Sequence, residues 1–254
     1  DTLSLGTTAA RRGDKYIVNG QKTWTSRAEY SDYMVLLART TPSDKVERRG
    51  EGLSVFMLDM RDCDGLTIKP IETMMNHNTT EVFFDDVEIS ASALIGVEGN
   101  GFRQILDGMN AERILIASEC IGDGRFFLDR ASAYANERIV FGRPIGQNQG
   151  VQFPLAKAHI QVEAADLMRW KAADLFDSGE SCGVEANMAK LLASEASWAA
   201  GNAALDTHGG FGFASEYDIE RKLRETRLYQ VAPINNNLIL AFVGQKCLNL
   251  PKSY

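Results

Sequence analysis

Apolar and polar positions change their rhythm once along this chain. Up to about residue 93 they alternate in short runs, YIVNGQKTW, YMVLLAR, LSVFMLD, LTIKPI and EVFFDDVEI. A period of two in runs rich in β-branched and aromatic residues predicts strands with one buried face. Asn19-Gly20 lies inside the first run, and because both residue types tolerate positive φ the pair predicts a tight hairpin there. The polar stretch TTPSDKVERRGEG, residues 40–52, predicts an exposed loop between two strands. From about Gly101 the spacing becomes helical, in Ala-, Leu- and Ile-rich stretches over 101–135, 148–178, 183–207, 216–227 and 234–248. GRPIGQNQG, DSGESCG and HGGFGF supply Gly or Pro where those helices should stop. Strands first and helices second predict an α+β chain of segregated domains: a β-sheet or barrel-like domain over 1–95, then an up-down four-helix bundle over 96–254.

One position conflicts with its surroundings. At about 100° per residue, Ile105, Met109 and Ile116 fall within roughly 60° of Glu112, so a carboxylate sits on an apolar stripe. An unpaired ionised carboxylate is costly to bury. Glu112 should therefore be paired, displaced to the surface, or desolvated with a raised pKa suited to proton chemistry. Glu119 and Asp123 continue the same face, so an ion pair with a cation from another helix is the structural alternative.

Composition removes several functions. The 254 residues include 27 Lys+Arg against 34 Asp+Glu, a net charge of -7, with no basic stripe rich in aromatics, which speaks against nucleic acid as a partner. Cys63, Cys120, Cys182 and Cys247 lie far apart without CxxC spacing, as reduced thiols of an intracellular protein would. His77, His159 and His208 share no ligand spacing with them, so no metal site is expected. No apolar run approaches the roughly 18 residues that would cross a bilayer. The opening DTLSLGTTAARRGDKYIVNG has neither an initiator Met nor a signal peptide and runs quickly into a strand pattern, so the chain is expected to begin inside a longer protein.

Three stretches carry more than composition: GQKTWTS (20–26), ERIVFGRPIGQNQ (137–149), and DTHGGFGF (206–213) followed by IERKLRETRLYQ. In this order and spacing they resemble the acyl-CoA dehydrogenase family of flavoproteins, specifically its middle β-domain and C-terminal helical bundle. The resemblance implies FAD as cofactor, an acyl-CoA thioester as substrate, an electron-transfer flavoprotein as oxidant, and homodimers that pair into a homotetramer. About a third of a usual family member would be absent, at the N-terminal side. By the same resemblance Trp24 packs beside the flavin, with Thr25 next to it and the Ser26 hydroxyl near the reactive nitrogen. Arg138, Phe141 and Gln149 would hold the FAD pyrophosphate and adenine of a neighbouring subunit, and Asp206, Gly209 and Gly210 would contact the cofactor across the same interface. Taken without the resemblance, Trp24 reads as a core aromatic, Arg138 as a helix C-terminal charge and the Gly pair as a helix cap. Asp206 departs from the family's usual Gln and would repel a phosphate. Asn235 and Asn237 stand where relatives carry Thr and Gln against FAD, with a helix N-cap as the plain reading of Asn235 or Asn236.

Acyl-CoA dehydrogenation needs a carboxylate that removes the α-proton, an acceptor for the β-hydride and donors on the thioester oxygen. Most family members place the carboxylate in a Tyr-x-x-x-Glu-Gly-Thr segment near the C-terminus. This chain reads YQVAPINNN there, with Pro233 in the slot of the Glu. Isovaleryl- and long-chain-type members instead carry the base in a segment similar to NAERI, which makes Glu112 the expected base, with Asn110 and Arg113 as candidate contacts to the CoA part of the substrate. Two other readings stay open: an oxidase or flavin monooxygenase of the same fold, and a catalytically silent binding or scaffold homologue, which Pro233 permits.

Overall fold

The computed structural model describes residues 2–75 and 78–252; His77 lies outside the described residues. It divides into two compact units, residues 1–108 and 109–254.

In the first unit seven strands form one sheet: β1 (Thr8–Arg12), β2 (Lys15–Ser26), β3 (Tyr33–Arg39), β4 (Leu53–Asp59), β5 (Leu66–Pro70), β6 (Thr79–Ser90) and β7 (Leu94–Ile95), in the order β5-β6-β2-β1-β3-β4-β7. That order is open, with β5 and β7 at its edges, so the barrel-like expectation gives way to a sheet that does not close. All pairings are antiparallel except the short parallel contact of β1 with β3 at Thr8↔Arg39. A core of alternating side chains forms on the sheet, where the Tyr16 and Phe56 rings meet edge to face with centroids 4.8 Å apart.

The expected hairpin at Asn19-Gly20 is not there. β2 runs straight through it, and the turn sits one step earlier, at Gly13-Asp14, with Gly13 at φ 65°. Asn19-Gly20 instead faces a bulge in β6. Val18 pairs with Val87 but Gly20 with Phe84, so Asp85 and Asp86 together oppose Asn19. The Asn19 amide closes the gap, donating to Asp86 Oδ1 at 2.8 Å and accepting from the Asp86 N–H at 2.9 Å. Gly20 is required for a different reason. It has φ 135°, and a Cβ there would lie 2.7 Å from Thr7 Cα. Further along, Thr23 pairs with Glu81 and Thr25 with Thr80, which leaves Trp24 as an extra residue in β2. The two bulges are on opposite strands, and the second restores the register that the first displaced.

The second unit is helical. The first helix, α1 (Gly101–Glu137), begins in the first unit and runs into this one; it is followed by α2 (Gln149–Asp177), α3 (Gly183–His208), α4 (Ile219–Thr226) and α5 (Asn236–Cys247). Five residues, 178–182, join α2 to α3. The helices pack closely because their facing positions are small: Ala186, Ala189, Ala193, Ala196, Ala200 and Ala204 of α3 are all buried, at helical spacing. Gly124 of α1 marks a near approach, since a Cβ there would lie 2.7 Å from Val162 Cγ2 on α2.

Candidate functional site

The bend after α1 organises one group of the expected residues. β8 (Ile139–Val140) and β9 (Arg143–Pro144) pair around Phe141-Gly142, both at positive φ (52° and 76°), the geometry of a two-residue hairpin of the I′ kind. The turn holds the Phe141 ring fully in solvent, 100% exposed, where an apolar ring gains nothing from its own chain. Arg138 stands at the base of the hairpin, its backbone N–H bonded to Tyr134 O and its carbonyl accepting from Ile145 N, both at 2.9 Å. At the far end of α3, Gly209 ends the helix at φ 56°.

These ends meet around a cavity of about 570 Å3, lined by Tyr134, Arg138, His208, Gly209, Gly210 and Phe211 among others. No atom would come within 4 Å of a Cβ placed on Gly209 or Gly210, so their backbone is open to a ligand on that side. The Arg138 guanidinium lies 5.9 Å from the Phe211 ring centroid. Tyr134 stacks on the buried His208 at 4.4 Å, and His208 Nδ1 donates to the Ala204 carbonyl at 2.8 Å. Tyr134 and His208 were not expected from the sequence; the only signal was the His that precedes the Gly pair in HGGFGF. Phe141, Gln149 and Asp206 are exposed and do not line this cavity.

Glu112 does not meet its expectation of shelter. Its side chain is exposed, because the buried stripe of α1 starts only at Ala117 and continues through Cys120, Ile121, Phe127 and Ala131. Ile105, Met109 and Ile116 are only half-buried, so the apolar wheel around Glu112 never becomes a packed wall within the described chain. The three acids of this face nevertheless differ. Asp123 is buried, its carboxyl pushed up by burial against the pull of the Lys222 ammonium, which binds it at 2.5 Å. Glu119 lies beside Tyr229, whose hydroxyl is pushed up by burial and by that carboxylate. Among the described residues Glu112 accepts no hydrogen bond and forms no ion pair; its adjacent cation, Arg113, turns instead to Asn110, donating from Nη1 to Oδ1 at 2.9 Å. Arg113 is half-buried and burial pulls its pKa down, opposed by the Glu112 carboxylate and the Cys182 thiol.

Asn235 is the N-cap of α5: its Oδ1 accepts from the Leu238 N–H at 2.9 Å. Its amide NH2 and the exposed Asn237 side chain still face outward. Asn236, between them, turns inward to the buried Lys190.

In the first unit, the extra residue Trp24 adopts φ 64°, an unusual conformation for a bulky side chain, and its indole is 66% exposed. The carbonyl of Thr25 accepts from Thr80 Oγ1 at 2.9 Å, and Ser26 pairs with Thr79 in the ladder. Lys22, two positions before the Trp, is half-buried, and burial lowers its ammonium to about 8. A separate cavity of about 890 Å3, also unforeseen, lies among Ser4, Thr8, Arg11, Arg39, Ser43 and Arg49.

The family model for the acyl-CoA dehydrogenase C-terminal domain matches residues 99–243, and that for the middle domain matches residues 1–87. The chain belongs to the acyl-CoA dehydrogenase family. It is 38% identical over 254 residues to the acyl-CoA dehydrogenase FadE12 of Mycobacterium tuberculosis, a match covering 98% of this chain and 64% of that protein. It is 33% identical over 252 residues to the cyclohex-1-ene-1-carbonyl-CoA dehydrogenase of Syntrophus aciditrophicus, covering 98% of this chain and 60% of the relative. Among solved structures, a glutaryl-coenzyme A dehydrogenase in complex with glutaryl-CoA superposes with a TM-score of 0.93 at 30% identity, covering 100% of this chain and 64% of the other. Butyryl-CoA dehydrogenase of Megasphaera elsdenii gives 0.92 at 28% identity, covering 98% and 64%. The chain thus spans under two thirds of the length of the relatives it matches.

Proposed function

We propose that this chain is the middle and C-terminal part of an FAD-dependent dehydrogenase that removes hydrogen from the α and β carbons of an acyl-CoA thioester, with Glu112 as the base. The observation that supports this reading is that Glu112, unlike Asp123 further along its face of α1, accepts no hydrogen bond and forms no ion pair among the described residues, while Glu119 lies beside the buried Tyr229. An acid committed to a lysine, as Asp123 is, cannot accept a substrate proton without breaking that bond. The segment 227–237, RLYQVAPINNN, offers no carboxylate of its own. The base is therefore of the isovaleryl and long-chain kind.

In this mechanism a Glu112 carboxylate oxygen accepts the α-proton. Because Glu112 is exposed in the described chain, a bound thioester would have to displace water from it. FAD supplies the acceptor for the hydride. The residues present suit that group: the Arg138 guanidinium and the open backbone at Gly209 and Gly210 fit a diphosphate, and the Tyr134, His208 and Phe211 rings fit an aromatic base. Phe141, Gln149 and Asp206, outside that cavity, would act toward the cofactor of a second copy. The Trp24 indole and the Thr25 and Ser26 hydroxyls would border the flavin, Asn235 would reach it through its NH2, and Asn237 through its amide. Asn110 and Arg113 would meet the CoA part. The oxidant would be an electron-transfer flavoprotein, the assembly a homodimer or homotetramer, and the site of action the bacterial cytoplasm. No helix among the described residues is long and apolar enough to cross a membrane.

The test is anaerobic bleaching of flavin absorbance by a panel of acyl-CoAs. Glu112→Gln should keep FAD and lose bleaching; full reduction in that variant removes Glu112 as the base. Rapid reoxidation of the reduced flavin in air would favour an oxidase, and an absence of flavin and bleaching in the wild type would favour a silent homologue.

A further inference from the structure

The least expected group in the helical unit is Lys190. It lies in the third turn of α3, is completely buried, and has no carboxylate partner among the described residues. Its ammonium instead donates to two acceptors far along the chain, the Ile234 carbonyl at 2.7 Å and Asn236 Oδ1 at 3.0 Å. Arg113 repels it. An ammonium without a counter-ion costs free energy to bury, and an apolar side chain would fill the site without that cost.

What the lysine does geometrically is fix the first turn of α5. Asn236 is the first residue of that helix, and its Nδ2 also donates to Ser194 Oγ of α3 at 3.2 Å, so both ends of the Asn236 amide are held by α3. A side chain locked inward at one helical position sets the direction of its neighbours, each about 100° away. Asn237, the next helical residue, is thereby turned outward, and Asn235, the extended N-cap residue, follows the chain that the ammonium holds at Ile234; both are exposed. The Ile234 carbonyl, held by the same ammonium, fixes the chain entering the cap.

We propose that Lys190 is a positioning residue: by holding Ile234 and Asn236 it aims Asn235 and Asn237 at the cofactor without touching the cofactor itself. This rests on the FAD reading above. Losing two hydrogen bonds from a charged donor, with the turn free to rotate, should weaken FAD binding by about tenfold.

The experiment measures FAD affinity by fluorescence quenching, at a temperature well below every thermal midpoint, for the wild-type chain, Lys190→Met, Asn236→Ala and the double variant. Lys190→Met and Asn236→Ala should each bind FAD about tenfold more weakly while their circular dichroism stays that of the wild type, and the double variant should lose no more than either alone. A merely structural lysine would lower the midpoint and leave the affinity of the folded chain unchanged, which overturns the proposal. If Lys190→Met fails to fold, Asn236→Ala decides by the same criterion. Fully additive losses would also overturn it. A wild-type chain that takes up no FAD overturns the cofactor reading and this inference together, whereas wild-type uptake with equal affinity in the variants overturns the inference alone.

Discussion

The buried ammonium of Lys190 makes a prediction about stability that does not depend on function. Burial lowers its pKa from the ordinary 10.5 to about 8, partly offset by the Cys120 thiol and reinforced by Arg113. That difference corresponds to about 3 kcal/mol at 1.36 kcal/mol per pH unit. The folded chain releases this proton near pH 8 and the unfolded chain near 10.5, so between those values the unfolded state binds more protons and stability rises with pH. Below pH 8 both states are protonated and the burial cost is present in full. Lys190→Met removes the titration, leaves the Ile234 carbonyl without its donor and leaves Asn236 Oδ1 only the longer bond from Ser194 Oγ at 3.3 Å, which together cost about 3 kcal/mol. At pH 7 gain and loss nearly cancel and the two proteins should be of similar stability. By pH 10 the gain has gone, and the variant should be less stable by about 3 kcal/mol. Urea unfolding of both proteins at pH 7, 8, 9 and 10 reads the difference directly, and other groups, including Lys22 with its similarly lowered pKa, cancel between them. Parallel stability curves across this range would show that the lysine does not pay a desolvation cost, and the reasoning would fail.

Two further substitutions test the packing. Gly20→Ala forces φ 135° on a residue with a Cβ and drives that atom to 2.7 Å from Thr7 Cα; it should destabilise the chain by about 1–3 kcal/mol in urea, and a neutral result would mean the approach of the chain at Thr7, just before β1, to β2 is not tight. Gly124→Ala gains up to about 1 kcal/mol of helix propensity but meets Val162 and should lose about 1–3 kcal/mol to overpacking. Gly122→Ala, with nothing within 4 Å, should show the propensity gain alone, and the sign of the difference between the two variants decides whether α1 and α2 touch as described.

The helices were legible because their signal is long: each expected span lies within three residues of the observed one, down to α4 and α5. Short-range strand signals misled where a second strand intervened. Asn19-Gly20 carries all the chemistry of a hairpin turn, yet the same chemistry serves a residue facing a bulge, and only the β6 partner decides between them. β1, reading TAARR, has too little alternation to announce itself. The Glu112 stripe shows the limit of a helical wheel: it tells which residues share a side but not whether anything packs there, and here the buried side starts a turn later at Ala117. Arg138, Gly209 and Gly210 were expected on one cofactor from the family motifs, and they line one cavity; His208 and Tyr134 join them only because α1 and α3 end side by side.

The opposed bulges in β2 and β6 act as a pair of compensating frameshifts. Between them, from Gly20 to Thr23, the strands run one residue out of step, and beyond Trp24 they are back in phase. A single deletion at either place would leave the remainder of the ladder mismatched and turn its inward side chains to water. Deleting one residue at each would restore the count, but would also abolish the kink that projects the indole. The length of these two strands and the outward aim of Trp24 are therefore inherited together.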